Sequence, residues 1–396
     1  MQPRSSARQW HLITCEYPPD IGGIAEHTAA LAAQLVKLGD SVHVWTSGDE
    51  VDPRMEHGLE LHRQLGQFSP RRLRRAGAAL NAIAPSTHLV VQWVPHGYGM
   101  WSMNLIFCAW LLARRRRGDV IELFVHEPSM PFGRGIRQNV LAVMHRLMMT
   151  VLLLAAHRVW MVIPGWETRI KPYLLRRKTP LLWLPIISGA PVIEDVDAVQ
   201  SLRREFGAEG TVIAGHLGLG TSIEDGMLEA ALPNLSTDPS VSVLLIGKSS
   251  EELRARLLER VPALAARLYA TGPVDARDLS LALQACDVML QPYPDGVSGR
   301  RTSTLNALRH GLPLVTTTGA LTEPLWKEAG ITLSPAGDRM AFAEAASRLL
   351  ASGEERAAAG ERSAALFRKT FEPSALVAKF RSVVIGGDSS RSGDTP

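Results

Sequence analysis

Two arginines stand in a glycine-rich loop directly before a predicted short helix, within the segment Tyr293 to Thr317. The N–H groups and the dipole of a helix N-terminus attract anions, and the guanidinium fork of arginine matches a phosphate. The sequence therefore predicts a phosphate-bearing ligand in the C-terminal half of the chain, contacted by Arg301, Thr302 and Ser303. Arg300 is either a second phosphate contact or a surface charge.

A second candidate anion site follows the first predicted strand, in the sequence CEYPPDIGGIAEH. Gly22 and Gly23 let the backbone approach a ligand closely, and the helix that begins behind them favours a phosphate. A tight strand-to-helix turn is the alternative. Glu26, in the first turn of that helix, is either an acceptor-side contact or a charge that favours the helix dipole.

Polar side chains also follow two predicted strands of the first half. His126 and Glu127 come directly after the buried run VIELFV. Ligands of open α/β sheets bind at the carboxyl ends of strands, so His126 is placed to bind a hydroxyl group or relay a proton, with Glu127 as the nearest carboxylate. Loop packing is the alternative, as it is for three acceptor-side candidates in the segment QWVPHGYG: Gln92, His96 and Tyr98.

The elements that must position these residues are short apolar runs that alternate with helical patterns. This alternation predicts parallel sheets covered by helices on both faces. With 396 residues, 46% of them hydrophobic, the chain suffices for two domains with separate cores. The predicted strands are Trp10–Cys15, Ser41–Thr46, His88–Trp93, Val120–Val125, Arg158–Ile163, Thr211–Leu217, Val241–Ile246, Arg267–Ala270, Asp287–Gln291, Leu314–Thr317 and Ile331–Leu333.

The predicted domain boundaries follow from breaks in this alternation. A segment rich in proline and glycine around Trp183 to Val192 indicates the linker. We predict an N-terminal domain over residues 1–188 and a C-terminal domain over 189–372. A closing helix over 373–385 precedes a tail, 386–396, whose composition predicts disorder.

Composition excludes some classes of protein. The formal net charge of +4 gives no reason to expect a nucleic-acid partner, and the basic excess is local, in Arg71–Arg75 and Arg114–Arg117. These runs are either solvated helix faces or a contact with an anionic membrane. The apolar segment Leu89 to Ala113 is interrupted by polar residues, which argues against a spanning helix. Three widely spaced cysteines and a polar N-terminus favour a cytoplasmic location, with peripheral attachment to the inner face of the membrane left open.

The two loops together resemble those of GT-B-fold glycosyltransferases of the family-4 type, the glycosyl transferases group 1. The resemblance lies in PPDIGG and in SGRRTSTLNALRHGLPLV, and it extends from about Leu12 to Phe380. It implies an α/β fold of two Rossmann-like parallel-sheet domains facing a central cleft, the N-terminal one on the acceptor side and the C-terminal one binding the nucleotide-sugar. It also implies a hexosyltransferase-type enzyme that moves a sugar from a nucleotide-diphosphate donor to a hydroxyl acceptor. It further implies that the enzyme retains the anomeric configuration, needs no metal ion or other cofactor, and acts in polysaccharide or glycoconjugate synthesis.

The chain departs from this family at its charged residues. Where the family has a basic pair, this chain has His216 followed by Gly220 and Thr221, which are expected to bind phosphate through backbone and hydroxyl groups. Ser298 and Asn306 stand at the positions of the two family glutamates.

Two further donor-side residues follow from the same comparison. Asp295 is the candidate substitute for the lost acid. Lys248, after the strand VLLIG, is a donor contact or an exposed loop lysine. The lost glutamates keep two other functions open: a GT-B-fold nucleotide-sugar epimerase or hydrolase, and a non-catalytic binding module.

Overall fold

The computed structural model describes residues 7–20, 22–50, 52–84, 86–176, 178–188, 190–218, 226–232 and 238–392. The chain divides into two compact units. Unit 1 comprises Met1–Ile187 and Pro373–Pro396, and unit 2 comprises Ser188–Glu372.

Unit 1 consists of a parallel sheet with helices on its faces. Its strands are β1 (Gln9–Ile13), β2 (Ser41–Trp45), β3 (Arg54–Glu56), β4 (Leu59–His62), β5 (His88–Trp93), β6 (Val120–Val125), β7 (Arg158–Met161) and β8 (Leu181–Trp183). Its helices are α1 (Gly23–Lys37), α2 (Pro70–Ile83), α3 (Leu105–Arg116), α4 (Ile136–Ala155), α5 (Trp166–Ile170) and α14 (Pro373–Ser392), with 3₁₀ turns at Met100–Ser102 and Lys171–Tyr173.

The sheet of unit 1 has the order β3-β4-β2-β1-β5-β6-β7-β8, and every pair is parallel except β3 with β4. One face forms a buried cluster in which Leu12 and Val44 meet Leu31 of α1 and Phe380 of α14. β1 lies between β2 and β5, so the chain changes direction across the sheet at this point. Ligands of open α/β sheets bind at the carboxyl ends of the strands beside such a switch point.

Unit 2 has the same architecture. Its strands are β9 (Val212–Leu217), β10 (Val241–Ile246), β11 (Leu268–Ala270), β12 (Val288–Gln291), β13 (Leu314–Thr318) and β14 (Thr332–Pro335). Its helices are α6 (Val196–Phe206), α7 (described over 226–232), α8 (Ser250–Arg260), α9 (Ala276–Ala285), α10 (Thr302–Arg309), α11 (Pro324–Glu328), α12 (Arg339–Ala351) and α13 (Gly353–Leu366), with a 3₁₀ turn at Pro262–Leu264 and a π-helical segment at Phe367–Phe371.

The sheet of unit 2 has the order β11-β10-β9-β12-β13-β14 and is parallel throughout. Its switch point lies between β9 and β12. The predicted class, α/β with two Rossmann-like parallel sheets, is confirmed. All eleven strands expected from the sequence are present. The bounds of β5, β6 and β10 equal the predicted ones, and β13 begins at the predicted residue and ends one residue later.

The C-terminal helix α14 belongs to unit 1 because it supplies the partner of a buried charge. The Asp40 carboxylate is bonded to Arg381, with Nε–Oδ2 at 2.7 Å and Nη2–Oδ1 at 2.8 Å, and it also accepts from Trp10 Nε1 at 2.8 Å. Burial would raise the pKa of Asp40, but the bonds from Arg381, the Arg8 backbone and Trp10 outweigh it and hold that pKa below its ordinary value.

The tail differs from the expectation that the chain is disordered from residue 386 onward. α14 continues to Ser392. The side chain of Arg158 lies against Gly387, and its Nη2 donates to the carbonyl oxygen of Val384 at 3.5 Å. These contacts hold the helix against the sheet beyond residue 385.

One described helix, α4, is long and apolar enough to cross a membrane by length and composition alone. It packs along α3, and its buried side includes Ala142, His145, Met149 and Leu152. A buried polar histidine and a packed face are typical of a helix that covers a sheet.

We expect Arg381→Met to lower the free energy of unfolding of unit 1 by about 3–5 kcal/mol, because the buried Asp40 carboxylate loses its charged partner. Urea denaturation measures this change. Lys379→Met on the same helix is the control, since Lys379 is exposed and its loss should cost no more than about 0.5 kcal/mol. Equal stability of both variants would contradict the assignment of Arg381 as the anchor of α14.

Candidate functional site

An acidic side chain that the sequence analysis did not single out, Glu16, lies just beyond the carboxyl end of β1. Its Oε1 atom accepts hydrogen bonds from the backbone N–H groups of Ile24 and Ala25, at 3.1 Å each. These groups form the positive end of α1. The helix N-terminus predicted to hold a phosphate therefore holds a carboxylate of the chain itself.

Gly22 provides the space for this contact. A Cβ atom on Gly22 would overlap the Glu16 carboxylate. Gly22 is the N-cap of α1 and Gly23 is its first residue. Phosphate binding by these glycines stays a prediction, and it requires that Glu16 moves aside. Glu26 is exposed in the first turn, where its charge favours the dipole.

The predicted histidine His126 lies at the carboxyl end of β6 and is buried. Its Nε2 is 2.8 Å from Oε1 of Gln92, at the end of β5, and its carbonyl oxygen accepts from Trp166 Nε1 at 2.9 Å. The structure thus brings together two residues that the sequence placed on separate strands. Burial lowers the pKa of His126 to about 3, so the imidazole is neutral at pH 7.

A second buried histidine, His27 of α1, lies against His126 with the ring centres 4.9 Å apart. Its Nδ1 accepts from the backbone N–H of Ile187 at 2.9 Å, which places its proton on Nε2. With Gln92 accepting from Nε2–H of His126, the Nδ1 atom of His126 carries a lone pair. Neither His27 Nε2 nor His126 Nδ1 has a hydrogen-bond partner in the described part of the chain.

The two adjoining rings thus hold one unpartnered donor and one unpartnered acceptor, which match the needs of a hydroxyl group, since a hydroxyl accepts one hydrogen bond and donates another. The sequence analysis missed His27 because it lies inside an amphipathic helix. Its position in the turn after GGIAE was the available signal.

The other acceptor-side candidates differ in burial and in their contacts. Tyr98 is a core residue rather than a ligand contact: it is fully buried, stacks on Trp93 and Phe107, and donates its hydroxyl proton to the carbonyl oxygen of Gln92. His96 is exposed, with Nδ1 3.3 Å from the hydroxyl of Ser102. Glu127 is half-buried beside His126. For His96 and Glu127 the predicted roles stay predictions.

In unit 2 the loop after β12 contains a compact charge cluster. The Asp295 carboxylate is paired with both arginines of the loop, with Arg300 Nη2 at 2.5 Å and with Nη2 of Arg301. Burial would raise the pKa of Asp295, but Arg301 and then Arg300 outweigh it and keep the pKa below its ordinary value. Asp295 is therefore an anion at neutral pH, held between the two arginines, and its role as the substitute for the lost acid stays a prediction.

The start of α10 is organised by Tyr293. Its hydroxyl lies 2.8 Å from the hydroxyl oxygens of Ser303 and Thr304, and the Arg301 guanidinium lies 4.4 Å from the centre of its ring. Arg301 is the N-cap position and Thr302 the first helical residue, with no side-chain cap. Ser303 was predicted to contact phosphate, and its hydroxyl group is already in contact with Tyr293.

A buried carboxylate that the sequence analysis missed, Glu323, fixes the middle of this loop. It accepts from the backbone N–H of Gly299 at 3.0 and 3.3 Å and from Trp326 Nε1 at 2.7 Å. Burial raises its pKa. Glu323 precedes Pro324, a common first residue of a helix, and this was the only sequence signal.

The remaining donor-side residues have different environments. Ser298 is fully buried, and its hydroxyl has no partner among the described residues. Asn306 is also buried, and its Oδ1 accepts from the backbone N–H of Ala190 at 2.9 Å, so this oxygen holds the start of unit 2. Lys248 is exposed in the loop after β10. Gly220 and Thr221 lie outside the described residues.

Comparison with known proteins adds to this geometry. Residues 224–352, which include the loop after β12, match the family model described as glycosyl transferases group 1. The chain carries a group 1 glycosyltransferase domain. No curated protein matches.

Solved structures share the fold of this glycosyltransferase over nearly the whole chain. Sucrose-phosphate synthase from Thermosynechococcus elongatus is 16% identical, with a TM-score of 0.75 over 97% of this chain and 100% of the other. Anabaena HepE in complex with UDP and glucose is 14% identical, with a TM-score of 0.65 over 96% and 100%. WaaG, a glycosyltransferase involved in lipopolysaccharide biosynthesis, is 15% identical, with a TM-score of 0.62 over 95% and 100%. The GT-B fold, the family resemblance and the assignment as a glycosyltransferase are confirmed.

We expect the stability of the glycosyltransferase to fall as the pH drops below 6.5, because the unfolded chain protonates His126 and the folded chain does not until about pH 3. This residue should contribute a loss of about 1.4 kcal/mol per pH unit. His126→Gln keeps a donor toward Gln92 and removes the titrating group. Urea denaturation at pH 7 and pH 5 should therefore show a smaller difference in this variant, by about 2 kcal/mol.

The control for this experiment is His57→Asn, because His57 is exposed in a turn. It should keep the pH dependence of the wild type. If His126→Gln loses stability as steeply as the wild type, His126 takes up its proton in the folded state as well.

Proposed function

We propose that this glycosyltransferase moves a sugar from a nucleotide-diphosphate donor to an acceptor hydroxyl with retention of configuration and without a metal ion, in polysaccharide or glycoconjugate synthesis. The observation that supports this most is the pair Arg300 and Arg301 at the start of α10, on a loop inside the segment that matches the family. Two of the structures with the same fold contain UDP or UDP-glucose.

The donor diphosphate binds by taking the place of the Asp295 carboxylate. The carboxylate bridges two guanidinium groups, which is the geometry in which arginine also binds phosphate. In the complex the two positive charges stabilise the leaving diphosphate, the task that a metal ion performs in other transferases. Asp295 therefore holds the arginines in place until the donor arrives.

On unit 1 the acceptor or sugar hydroxyl binds beside His126. The Nδ1 atom of neutral His126 accepts a hydrogen bond from the hydroxyl group, and His27 donates from Nε2 to the hydroxyl oxygen. The bond from the anomeric carbon to the diphosphate breaks while the bond to the acceptor oxygen forms on the same face. The acceptor proton passes to the leaving diphosphate oxygen, so the protein residues position the groups and stabilise charge.

A second candidate function is nucleotide-sugar binding without transfer, or hydrolysis or epimerisation of the donor. It is favoured by one observation: a buried serine and a buried asparagine, Ser298 and Asn306, stand where the family carries glutamates. Incubation with nucleotide-sugars in the absence of an acceptor separates these functions. Rapid donor turnover would favour the hydrolase or epimerase, and donor binding without any turnover, with or without candidate acceptors, would favour the binding module.

Calorimetric titration with UDP and with GDP tests the donor site. We expect one of the two to bind, and Arg301→Ala to weaken that binding by about 10- to 100-fold, the value of a lost hydrogen bond between charged groups. Asp295→Asn should strengthen it, because the nucleotide no longer competes with a carboxylate.

The matched control is Lys327→Ala, an exposed cation on α11 in the same unit, which should leave the affinity unchanged. Binding that Arg301→Ala leaves unchanged would overturn the assignment of the arginine pair. Weaker binding by Asp295→Asn would mean that Asp295 orders the arginines for the nucleotide rather than competing with it.

Peripheral membrane contact is part of the proposal, with the protein on the cytoplasmic face, but two arginines of the second basic run are engaged within the protein. Arg114 is buried in an ion pair with Asp119, and Arg115 donates to the carbonyl oxygens of Leu154 and Ala156. The stronger support is an exposed apolar stripe on α4, whose side chains are 46% to 85% exposed: Ile136, Val140, Val143 and Leu147.

The stripe has the chemistry of an interfacial membrane contact. Its residues are spaced at i, i+4, i+7 and i+11, so they lie on one face of the helix. Phe132, just before the helix and four residues from Ile136, is also exposed. Exposed arginines flank the stripe at positions 134 and 137. Apolar burial and attraction to anionic headgroups add up at such a surface.

We expect the protein to cosediment with phosphatidylglycerol vesicles at low salt and less with phosphatidylcholine vesicles. Val140→Asp with Val143→Asp should reduce the bound fraction several-fold, because each charge would enter the apolar boundary. Val196→Asp, an exposed valine of unit 2, is the control. Equal binding of the double variant and the wild type would rule out α4 as the contact.

A further inference from the structure

Three potential metal ligands meet on two neighbouring strands of unit 1, away from the residues discussed above. Nδ1 of His43 on β2 lies 3.2 Å from Nε2 of His62 on β4. The carboxylate of Glu60, also on β4, spans the pair, with Oε2 3.4 Å from His43 and Oε1 3.3 Å from His62. Among the described residues, no other group of His, Cys, Asp or Glu side chains brings three potential ligand atoms this close together.

Strand pairing produces this cluster. β2 and β4 run parallel, with His43 opposite Glu60 and Trp45 opposite His62. Side chains alternate along a strand, so these residues share one face of the sheet. The intervening residues Val42, Val44, Leu59 and Leu61 point to the other face and belong to the buried cluster with α1.

The distances suit a tetrahedral metal ion. With metal–nitrogen and metal–oxygen bonds of about 2.0–2.1 Å, two ligand atoms on a tetrahedral ion lie about 3.3–3.4 Å apart. The separation of the two histidine nitrogens, 3.2 Å, is close to that value, and each nitrogen has one Glu60 oxygen at 3.3 or 3.4 Å, so a small turn of the carboxylate brings one oxygen to both. Two imidazoles and one carboxylate form a ligand set used for zinc, and the partly exposed Glu60 leaves a side on which a water molecule can complete the shell.

The imidazole rings are held in place from outside the cluster. The His62 ring stacks on Trp45, with centres 3.8 Å apart and planes 6° apart, and the His43 ring stacks on His11 at 4.6 Å. The amide nitrogen of Gln9 lies 2.9 Å from Nε2 of His43. With the amide turned over, the Gln9 oxygen would accept a hydrogen bond from Nε2–H and leave the Nδ1 lone pair for the ion, as second-shell partners of metal-bound histidines do.

We propose that His43, Glu60 and His62 form a binding site for a divalent transition-metal ion, of which Zn²⁺ fits best. This inference is independent of the donor site and of the proposed reaction. The ion would join β4 to β2 and so fasten the edge of the sheet that carries the β3–β4 hairpin. No sequence motif indicates this site, because the ligands come from separate strands and follow no compact metal-binding spacing.

The test uses the full chain without a purification tag, after treatment with EDTA and its removal. Calorimetric titration with Zn²⁺ should show one equivalent bound at this site, and Co²⁺ should give the visible absorption bands of a tetrahedral complex, which Zn²⁺ then removes. Glu60→Gln and His62→Phe should each weaken the binding by about tenfold or more. Phenylalanine keeps the stack on Trp45, so the second variant retains the fold.

Glu56→Gln, an exposed carboxylate on the adjacent strand β3, is the matched control and should bind like the wild type. A rise in unfolding temperature with Zn²⁺ that occurs in the wild type and the control, but not in the two ligand variants, supports the proposal. The proposal is overturned if no Zn²⁺ binds, or if both ligand variants bind Zn²⁺ as tightly as the wild type, since the ion then binds elsewhere.

Discussion

A buried charge must be matched by an opposite charge or by several hydrogen bonds, and this requirement organises both units. At the amino ends of the strands, acidic residues meet arginines: Asp40 with Arg381, and Asp119 with Arg114. In unit 2, Asp287 at the start of β12 accepts from Arg203 at 3.1 Å. These pairs join helices to the sheets and assign α14 to unit 1.

The same requirement shapes the carboxyl ends, where function is expected. A helix N-terminus and two arginines are attractive to phosphate, and in this structure each is already matched by a carboxylate of the chain, Glu16 for α1 and Asp295 for Arg300 and Arg301. A ligand anion therefore has to replace an internal anion. Donor affinity then depends on the difference between two charge-assisted interactions rather than on the arginines alone.

Neutral groups follow a different rule at the acceptor side. His126, Gln92 and His27 are buried without charge, so hydrogen-bond capacity rather than charge decides what can bind there. In the proposed metal cluster on β2 and β4, a carboxylate lies among neutral imidazoles, and this combination of ligands attracts a cation. Charge balance thus distinguishes these three polar clusters from one another.

The sequence by itself determined the parallel sheets and the loops that carry the chemistry. Apolar runs such as β5, β6 and β10 are buried on both faces, so their limits are visible in composition alone. The short strands β3, β4 and β8, at or next to the edges of the sheet, were not predicted, because strands of three or four residues depend on their neighbours rather than on a long apolar run.

Only the tertiary structure decided which residues meet. The way in which segments fold back over strand ends decides four contacts: Asp295 with the arginines, Glu16 with α1, His27 with His126, and Glu323 with Gly299. A one-dimensional pattern records the periodicity that burial imposes on each element. It does not record the distance between side chains that come from different elements, and partner choice depends on that distance.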